Sequence, residues 1–423
     1  MKIVIVTGTR PDIIKMAPVY WEACRRGHDV VLVHAAQHFP YHLFQGVYED
    51  MELPFPPKFT VYSSSVKRAG IAASKLAFQI DQKFGLNTSK ALEGLATQLT
   101  DARPNPAATV GHIILGLNRL FRGPLKDADI VLVHGDTLTC MAGALAAHLN
   151  LIPVGHVEAG LRTFSREPFP EQTDTRTADA CSDLHFAPTG ENAANLRAEG
   201  FSKERIILTG NTVVDAANWA AKTAAKRGES RAFFEKLGLD FAKPIVYYSC
   251  HRRENLMHET RFRAIAEAAI ELGNKGYQVL WSVRPGTFVA LAQYGLLEKV
   301  RESKNVFLVS DIPRYTDIMF LMSKSFFVAT DSGSMQEEAA ALHVPCASLR
   351  FVTDRPESVK AGVTVMAKPE SKAGIMRAFD HVIAHNAVMR RKGNPYGNGD
   401  SAAKTLDAIE RFKGKLIQWK HEE

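Results

Sequence analysis

The sequence predicts an α/β protein built from two doubly wound, parallel-sheet domains that face a cleft. Short β-branched runs alternate with helical periodicity from Lys2 to Leu208, the pattern of parallel strands joined by helical crossovers. A second alternation of the same kind runs from Pro244 to Leu349. A chain of 423 residues is also too long for one compact core, so two domains are expected.

In order, Lys2–Thr7 reads as a strand, 12–26 as a helix and 29–34 as a second strand. Between 51 and 104 the pattern weakens around Pro-rich and Ser-rich pieces and a helix at 89–100, so this stretch reads as an insertion. Residues 128–134 form a buried strand that runs straight into Gly135-Asp136-Thr137. Residues 140–149, rich in Ala, Leu and Met, read as its crossover helix, and 151–157 as the next strand, ending in Glu158-Ala-Gly-Leu-Arg162-Thr163. A βαβ unit of this size makes the two strands parallel with a right-handed crossover. Asp136 and Glu158 then share the carboxyl edge of one sheet, where open α/β folds bind ligands. Two carboxylates beside Arg162 point to acid/base chemistry on a polar substrate.

Further strands are expected at Leu184–Ala187 and 205–208, and the charged segment 221–238 reads as an interdomain linker. The second alternation places strands at 244–249, 278–283, Val306–Val309, 326–330 and 345–349. A last helix, 401–419, follows a Pro/Gly/Asn-rich turn at 394–399. The expected organisation is an N-terminal domain over 1–215 with a possible insertion at 51–104, a C-terminal domain over 216–393, and a turn and helix over 394–423 that pack back on the first domain.

Hydrophobic residues at 46% and charged residues at 23% place the chain among ordinary globular proteins. A formal charge of +7 fits a phosphate-bearing small substrate, and equally a solvated surface with no partner preference. No run of Lys and Arg with interleaved aromatics argues for nucleic acid. The five cysteines are odd in number and scattered, which favours thiols in a reducing cytoplasm. The N-terminal apolar run is too short for a signal peptide, and no stretch reaches the ~20 apolar residues of a membrane helix. A cytoplasmic protein without membrane contact is expected.

Gly8-Thr9-Arg10-Pro11-Asp12 closes the first strand and opens a helix, with Lys15 one turn in. Helix N-termini attract anions, so Arg10 and Lys15 form a candidate phosphate-facing lip; the alternative is a turn with solvated charges. The absence of GxGxxG argues against a nicotinamide or flavin, and no cofactor is expected. Asp331-Ser332-Gly333-Ser334, followed by Glu337 and Glu338, is the second domain's counterpart. It suits a diphosphate on backbone amides with an acid on ribose hydroxyls, or a helix with acids near its N-terminus. His251-Arg252-Arg253-Glu254-Asn255 puts four ionisable groups in succession at a strand end, with His251 a site residue and Arg252 or Arg253 on phosphate. Glu171, placed in a loop, is a third candidate acid, and Arg355 stands near another strand end. His38 and His42 have a metal-compatible spacing but no acidic third ligand, and no metal is expected. No nucleophile elbow or activated cysteine is apparent.

Together these pieces resemble the non-hydrolysing UDP-N-acetylglucosamine 2-epimerase family. The matching motifs are GTRPD at 8–12, HGDT at 134–137, HVEAGLRT at 156–163, PFPE at 168–171, FAPT at 186–189 and GNTVVD at 210–215. They continue with HRREN at 251–255, TDSG at 330–333, QEEA at 336–339, RPE at 355–357 and NPYGNG at 394–399. The resemblance implies two Rossmann-like domains in a GT-B-like arrangement, a UDP-amino sugar substrate and a homodimer. It puts Arg10, Lys15, Asp136, Glu158, Glu171 and His251 around the reaction, with Ser332, Gly333, Glu338 and Arg355 on UDP. It further implies interconversion of UDP-GlcNAc and UDP-ManNAc, through a 2-acetamidoglucal, for surface polysaccharide. Among the three acids Glu158 and Asp136 are preferred for proton transfer.

The chain departs from the family pattern Pro-Glu-Glu-x-Asn-Arg at Pro170-Glu-Gln172-Thr-Asp174-Thr175, with Arg176 one place along, and Ser334 replaces a glycine. A modified UDP-sugar such as a diacetamido uronic acid, a GT-B glycosyltransferase, or a UDP-sugar-binding protein are the alternatives.

Overall fold

The computed structural model describes residues 1–36, 41–62, 105–163, 170–310 and 312–421. The chain divides into two units, Met1–Thr212 with Asp400–Glu423, and Val213–Gly399.

The first unit carries a seven-stranded sheet in the order β3-β2-β1-β4-β5-β6-β7. Its strands are β1 (Lys2–Thr7), β2 (Asp29–Ala36), β3 (Phe59–Tyr62), β4 (Ile130–His134), β5 (Val154–Val157), β6 (Leu184–Ala187) and β7 (Ile206–Leu208), all parallel to their neighbours. Central strands such as β4 (Ile-Val-Leu-Val-His) are buried along their whole length, which is why they read as unbroken apolar runs. Val4, Val6, Val131 and Val133 meet Ile113, Leu117 and Ala144 in one apolar cluster. The last helix, Ser401–His421, packs on the helix Arg10–Arg25. Arg26 fastens this end of the chain, bonding Glu410 at 2.9 Å and the Ala403 carbonyl at 3.2 Å.

The second unit has a six-stranded sheet in the order β10-β9-β8-β11-β12-β13. Here β8 is Ile245–Ser249, β9 Gln278–Ser282, β10 Val306–Val309, β11 Phe327–Thr330, β12 Cys346–Ser348 and β13 Thr364–Met366. Its core centres on Tyr248 and Trp281, whose rings meet edge-on at 5.1 Å, with Phe262 and Phe379 around them. In both sheets the strand order reverses beside the first strand, between β1 and β4 and between β8 and β11. Crevices at such reversals, beyond the carboxyl ends of the strands, are where open α/β sheets take ligands.

Three readings of the sequence change. Segment 221–238, expected as a linker, is helical: it ends the helix Thr212–Arg227 and forms Glu229–Lys236, the two separated by Gly228 at φ +74°. Its Ala, Lys and Glu residues are good helix formers whatever their solvation. β3 lies inside the stretch taken for an insertion and is an edge strand of the first sheet, and β13 was not foreseen. The expected helix at 89–100 falls outside the described residues. So do His38 and the side chain of His42. Among the described residues no helix is long and apolar enough to cross a membrane.

Gly8 lets the chain turn out of β1 against its neighbours. A Cβ there would overlap Thr139 Oγ1 and crowd the Ala35 carbonyl. Gly8→Ala should therefore cost about 1–3 kcal/mol through overpacking, read as a fall of several degrees in the thermal midpoint. An unchanged midpoint would show that the Thr139 side gives way freely.

Candidate active site

In the first unit, Thr9 caps the helix Arg10–Arg25 in a reciprocal capping box with Asp12. One Asp12 oxygen accepts from the Gly8 amide at 3.2 Å, the Thr9 amide at 3.1 Å and the Thr137 hydroxyl at 3.4 Å. These backbone amides, expected to face a phosphate, are thus engaged by the chain's own carboxylate. Arg10 stays exposed at the helix start. Lys15 is turned inward: it is 4% exposed and its Nζ lies 2.9 Å from both oxygens of Glu158.

Glu158 is the centre of this cluster. It holds a left-handed backbone (φ +70°), costly for a residue with a side chain unless its surroundings impose it. The Glu158 and Ala159 amides both reach the Phe186 carbonyl at 3.1 Å, and the carboxylate is held from several sides. Asn211 Nδ2 donates to Oε1 at 3.0 Å, and His134 Nε2 stands 2.9 Å from Oε2. His134 Nδ1 faces Asp12 Oδ1 at 3.3 Å. Burial pulls the His134 pKa down, but its bonds to Asp12 and Glu158 outweigh this and hold it up, at about 9. Two cations, Lys15 and His134, are thereby matched by two carboxylates, Asp12 and Glu158.

A second carboxylate group lies beside the first. A Cβ on Gly135 would stand 3.5 Å from Glu158 Oε2, so Glu158 borders the turn that carries Asp136. Glu171 is not in a loop: it opens the helix Glu171–Ala180, and Asp174 follows one turn later. Glu171 Oε2 and Asp174 Oδ2 are both buried without a hydrogen-bond partner, as is Thr175 Oγ1. Burial, then the charges of Asp136 and Glu171, push the Asp174 carboxyl up to about 7. Asp136, Glu171 and Asp174 are therefore close enough to feel one another.

Arg162 does not stand beside Asp136 and Glu158, as expected from the sequence. Its guanidinium lies 2.8 Å from Asp179 and 2.6 Å from Glu199. Asp179 also holds His156 at 2.6 Å, whose Nε2 donates to the Gly135 carbonyl at 2.8 Å. Arg162 thus acts at a distance, fixing the turn that presents Asp136. Arg176 points outward to Glu199 at 3.3 Å and is 48% exposed. Gln172 accepts from the Thr163 amide at 3.0 Å and ties down the chain after β5.

In the second unit, Asp331 follows β11 directly and is fully buried. It accepts from the amides of His251 at 3.1 Å and Arg252 at 2.9 Å, and from Asn255 Nδ2 at 3.0 Å. One carboxylate therefore shapes the whole HRREN segment. Burial, with Arg284 and Arg252 nearby, lowers the His251 pKa to about 4 against the pull of Asp331. At neutral pH it offers a hydrogen bond but not a full positive charge.

Ser332 precedes the helix Gly333–Ala341 without capping it through its side chain. The Asp354 carboxylate lies against this end: a Cβ on Gly333 would be 3.1 Å from its Oδ1. Around Asp354 stand Arg350 at 2.6 Å, Arg252 at 3.6 Å and Arg355 at 3.8 Å. Burial raises the Asp354 pKa, but Arg355, Arg350 and Arg252 outweigh it and hold it well below the usual range. Arg355 Nε also reaches Glu337 at 2.6 Å. Ser334 is half-buried on the first turn and Glu338 buried further along. The Ser332–Ser334 turn, Arg252 and Arg355 thus come together around Asp354.

Sequence reasoning missed Asp12, His134, Asn211 and Asp174 in the first unit, and Arg284, Arg350 and Asp354 in the second. The available signal was position: His134 is the last residue of β4, at the ligand-binding edge of the sheet. Among the described residues no group of His, Cys, Asp and Glu is arranged to hold a metal ion.

A family model described as UDP-N-acetylglucosamine 2-epimerase matches residues 22–410. A Methanocaldococcus jannaschii protein named UDP-N-acetylglucosamine 2-epimerase is 31% identical over 410 residues, covering 96% of this chain and 98% of that one. A Bacillus subtilis protein of the same name is 33% identical over 416 residues, 97% of this chain and 95% of its own. The fold is similar to the crystal structure of UDP-GlcNAc 2-epimerase from Neisseria meningitidis bound to UDP-GlcNAc, with TM-score 0.77 and 27% identity over 97% of this chain and all (100%) of that one.

Proposed function

The chain belongs to the UDP-N-acetylglucosamine 2-epimerase family, and from that premise we propose that it interconverts UDP-GlcNAc and UDP-ManNAc by eliminating and re-adding UDP. The observation that carries the chemistry is the gathering of Asp136, Glu171 and Asp174, in which Glu171 Oε2 and Asp174 Oδ2 are buried without a protein donor.

Inverting C2 is difficult because no carbonyl acidifies its proton. Elimination avoids this: a base takes the C2 proton, the C1–O bond breaks with its electrons leaving on UDP, and a C1–C2 double bond forms. UDP then adds back to C1 as a proton reaches the other face of C2. The cycle needs two proton-transferring groups and stabilisation of the departing diphosphate. We assign proton transfer to Asp136 and Glu171. Glu158, preferred from the sequence, is already held by Lys15, Asn211 and His134, and in this reading it organises their charges beside the reacting sugar. The diphosphate is assigned to the Ser332–Ser334 turn, Arg252 and Arg355, with neutral His251 as a hydrogen-bond donor and Glu338 on the ribose.

The test is incubation of UDP-GlcNAc with the protein in D2O, following C2 by NMR. Deuterium at C2 and the appearance of UDP-ManNAc are expected; neither appearing sinks the assignment for this sugar. Asp174 and Thr175, where the family has Asn and Arg, favour a second reading, a modified UDP-sugar. It predicts that a diacetamido uronic acid exchanges faster than UDP-GlcNAc in the same assay.

A further inference from the structure

We propose that Asp354 is a built-in counter-anion lodged in the second unit's diphosphate place, so that a UDP-sugar binds by exchange, its diphosphate taking Arg252 and Arg355 over from this carboxylate. This rests on the epimerase reading, which puts a diphosphate at the Ser332–Ser334 turn, and adds the group that must leave it.

Three guanidiniums converge on one carboxylate here. Arg350 Nη1 donates to Asp354 Oδ1 at 2.6 Å, while Arg252 Nη2 and Arg355 Nη1 stand 3.6 Å and 3.8 Å from Oδ2. The same carboxylate lies against the start of the helix Gly333–Ala341: a Cβ on Gly333 would be 3.1 Å from Oδ1 and 3.4 Å from Oδ2. Ser332 gives that helix no side-chain cap, and a helix start beside arginines favours an anion. Asp354 thus stands where the diphosphate is assigned. The arginines hold its pKa well below the usual range, so it is fully charged at neutral pH. Arg355 Nε also lies 2.6 Å from Glu337, and Arg252 Nη1 3.6 Å from Glu254. The three guanidiniums therefore face three carboxylates, which leaves no surplus positive charge in this set for a diphosphate. Like charges a few ångströms apart repel, so a diphosphate that reaches Arg252 and Arg355 must drive the Asp354 carboxylate away. The side chain has room to go, being 22% exposed. Its surroundings stay in place: the Thr353 hydroxyl donates to the buried Gln336 at 2.9 Å, and Arg252 Nε to the Asp331 carbonyl at 2.9 Å.

Calorimetric titration of the full chain with UDP, at fixed pH and ionic strength, provides the test. Asp354→Asn keeps the shape and an acceptor for Arg350 but removes the charge. It should bind UDP about tenfold more tightly than the wild type, the effect of one unit charge a few ångströms away near a protein surface. Affinity for uridine, which carries no phosphate, should not change. A residue that merely aimed the arginines would give the opposite sign, with UDP held more weakly by Asp354→Asn. The proposal is overturned if Asp354→Asn binds UDP no more tightly than the wild type, if uridine gains as much as UDP, or if neither protein binds UDP. In a crystal of the wild type with UDP bound, Asp354 should stand beyond ion-pair reach of Arg252 and Arg355. Its carboxylate remaining 3.6 Å and 3.8 Å from them would equally overturn the proposal, and this measurement decides should Asp354→Asn not fold. Should the wild type bind UDP yet exchange C2 of no UDP-sugar, the epimerase reading falls, and the titration still decides this one.

Discussion

Glu158→Gln should lose about 3–5 kcal/mol of folding stability, because it removes one partner of a buried ion pair and leaves the other charge in place. Lys15 is 4% exposed, and its Nζ lies 2.9 Å from both Glu158 oxygens. An amide oxygen can accept one hydrogen bond but cannot balance the ammonium. Urea unfolding will show this as a lower midpoint with an unchanged slope. Lys15→Met paired with Glu158→Gln should recover much of the loss, since the unpaired charge is then gone. The effect also has a pH signature. His134, raised from 6.5 to about 9, binds its proton more tightly in the folded state. It therefore contributes stability that is fully present below about 6.5 and is lost as pH rises through about 9. Glu158→Gln removes one of the two acids that hold it up, so that loss should begin at lower pH. Equal midpoints for wild type and variant would mean that Lys15 finds another counter-charge or reaches water.

The strand ends were legible because β1, β4 and β8 are buried runs that stop abruptly at polar residues, and within each sheet the reversal of strand order puts the stops of neighbouring strands side by side. What the sequence could not show was which charges meet. Lys15 and Glu158 are 143 positions apart, and nothing local to either distinguishes a phosphate-facing lysine from one buried against a carboxylate. Arg162 follows Glu158 closely in sequence, yet Gly160 intervenes at φ +81°, and the turn sends the guanidinium to Asp179. Glu171 read as a loop residue because Pro168 and Pro170 precede it, but proline at the threshold of a helix is compatible with the helix that follows. β13 was invisible for a simpler reason: three residues carry no periodicity. Asp174 was noticed only as a departure from a pattern, and its burial beside Glu171 depends on how the helix is rotated.

Glu171→Gln should separate chemistry from folding in the opposite sense to Glu158→Gln. Glu171 Oε2 has no hydrogen-bond partner, so an isosteric amide breaks no bond made by that atom. It also relieves the repulsion with Asp136 and Asp174. The unfolding midpoint should consequently stay within about 0.5 kcal/mol of wild type, or rise. The rate of deuterium entry at C2 should fall by about 10²–10⁴, the usual contribution of a positioned acid or base. UDP affinity should be unchanged, because the groups assigned to the diphosphate lie in other segments. If exchange persists in Glu171→Gln but is lost in Asp136→Asn, the proton transfer belongs to Asp136 alone. Glu171 would then act only through its charge, which raises the Asp174 carboxyl, and the two variants would differ in rate.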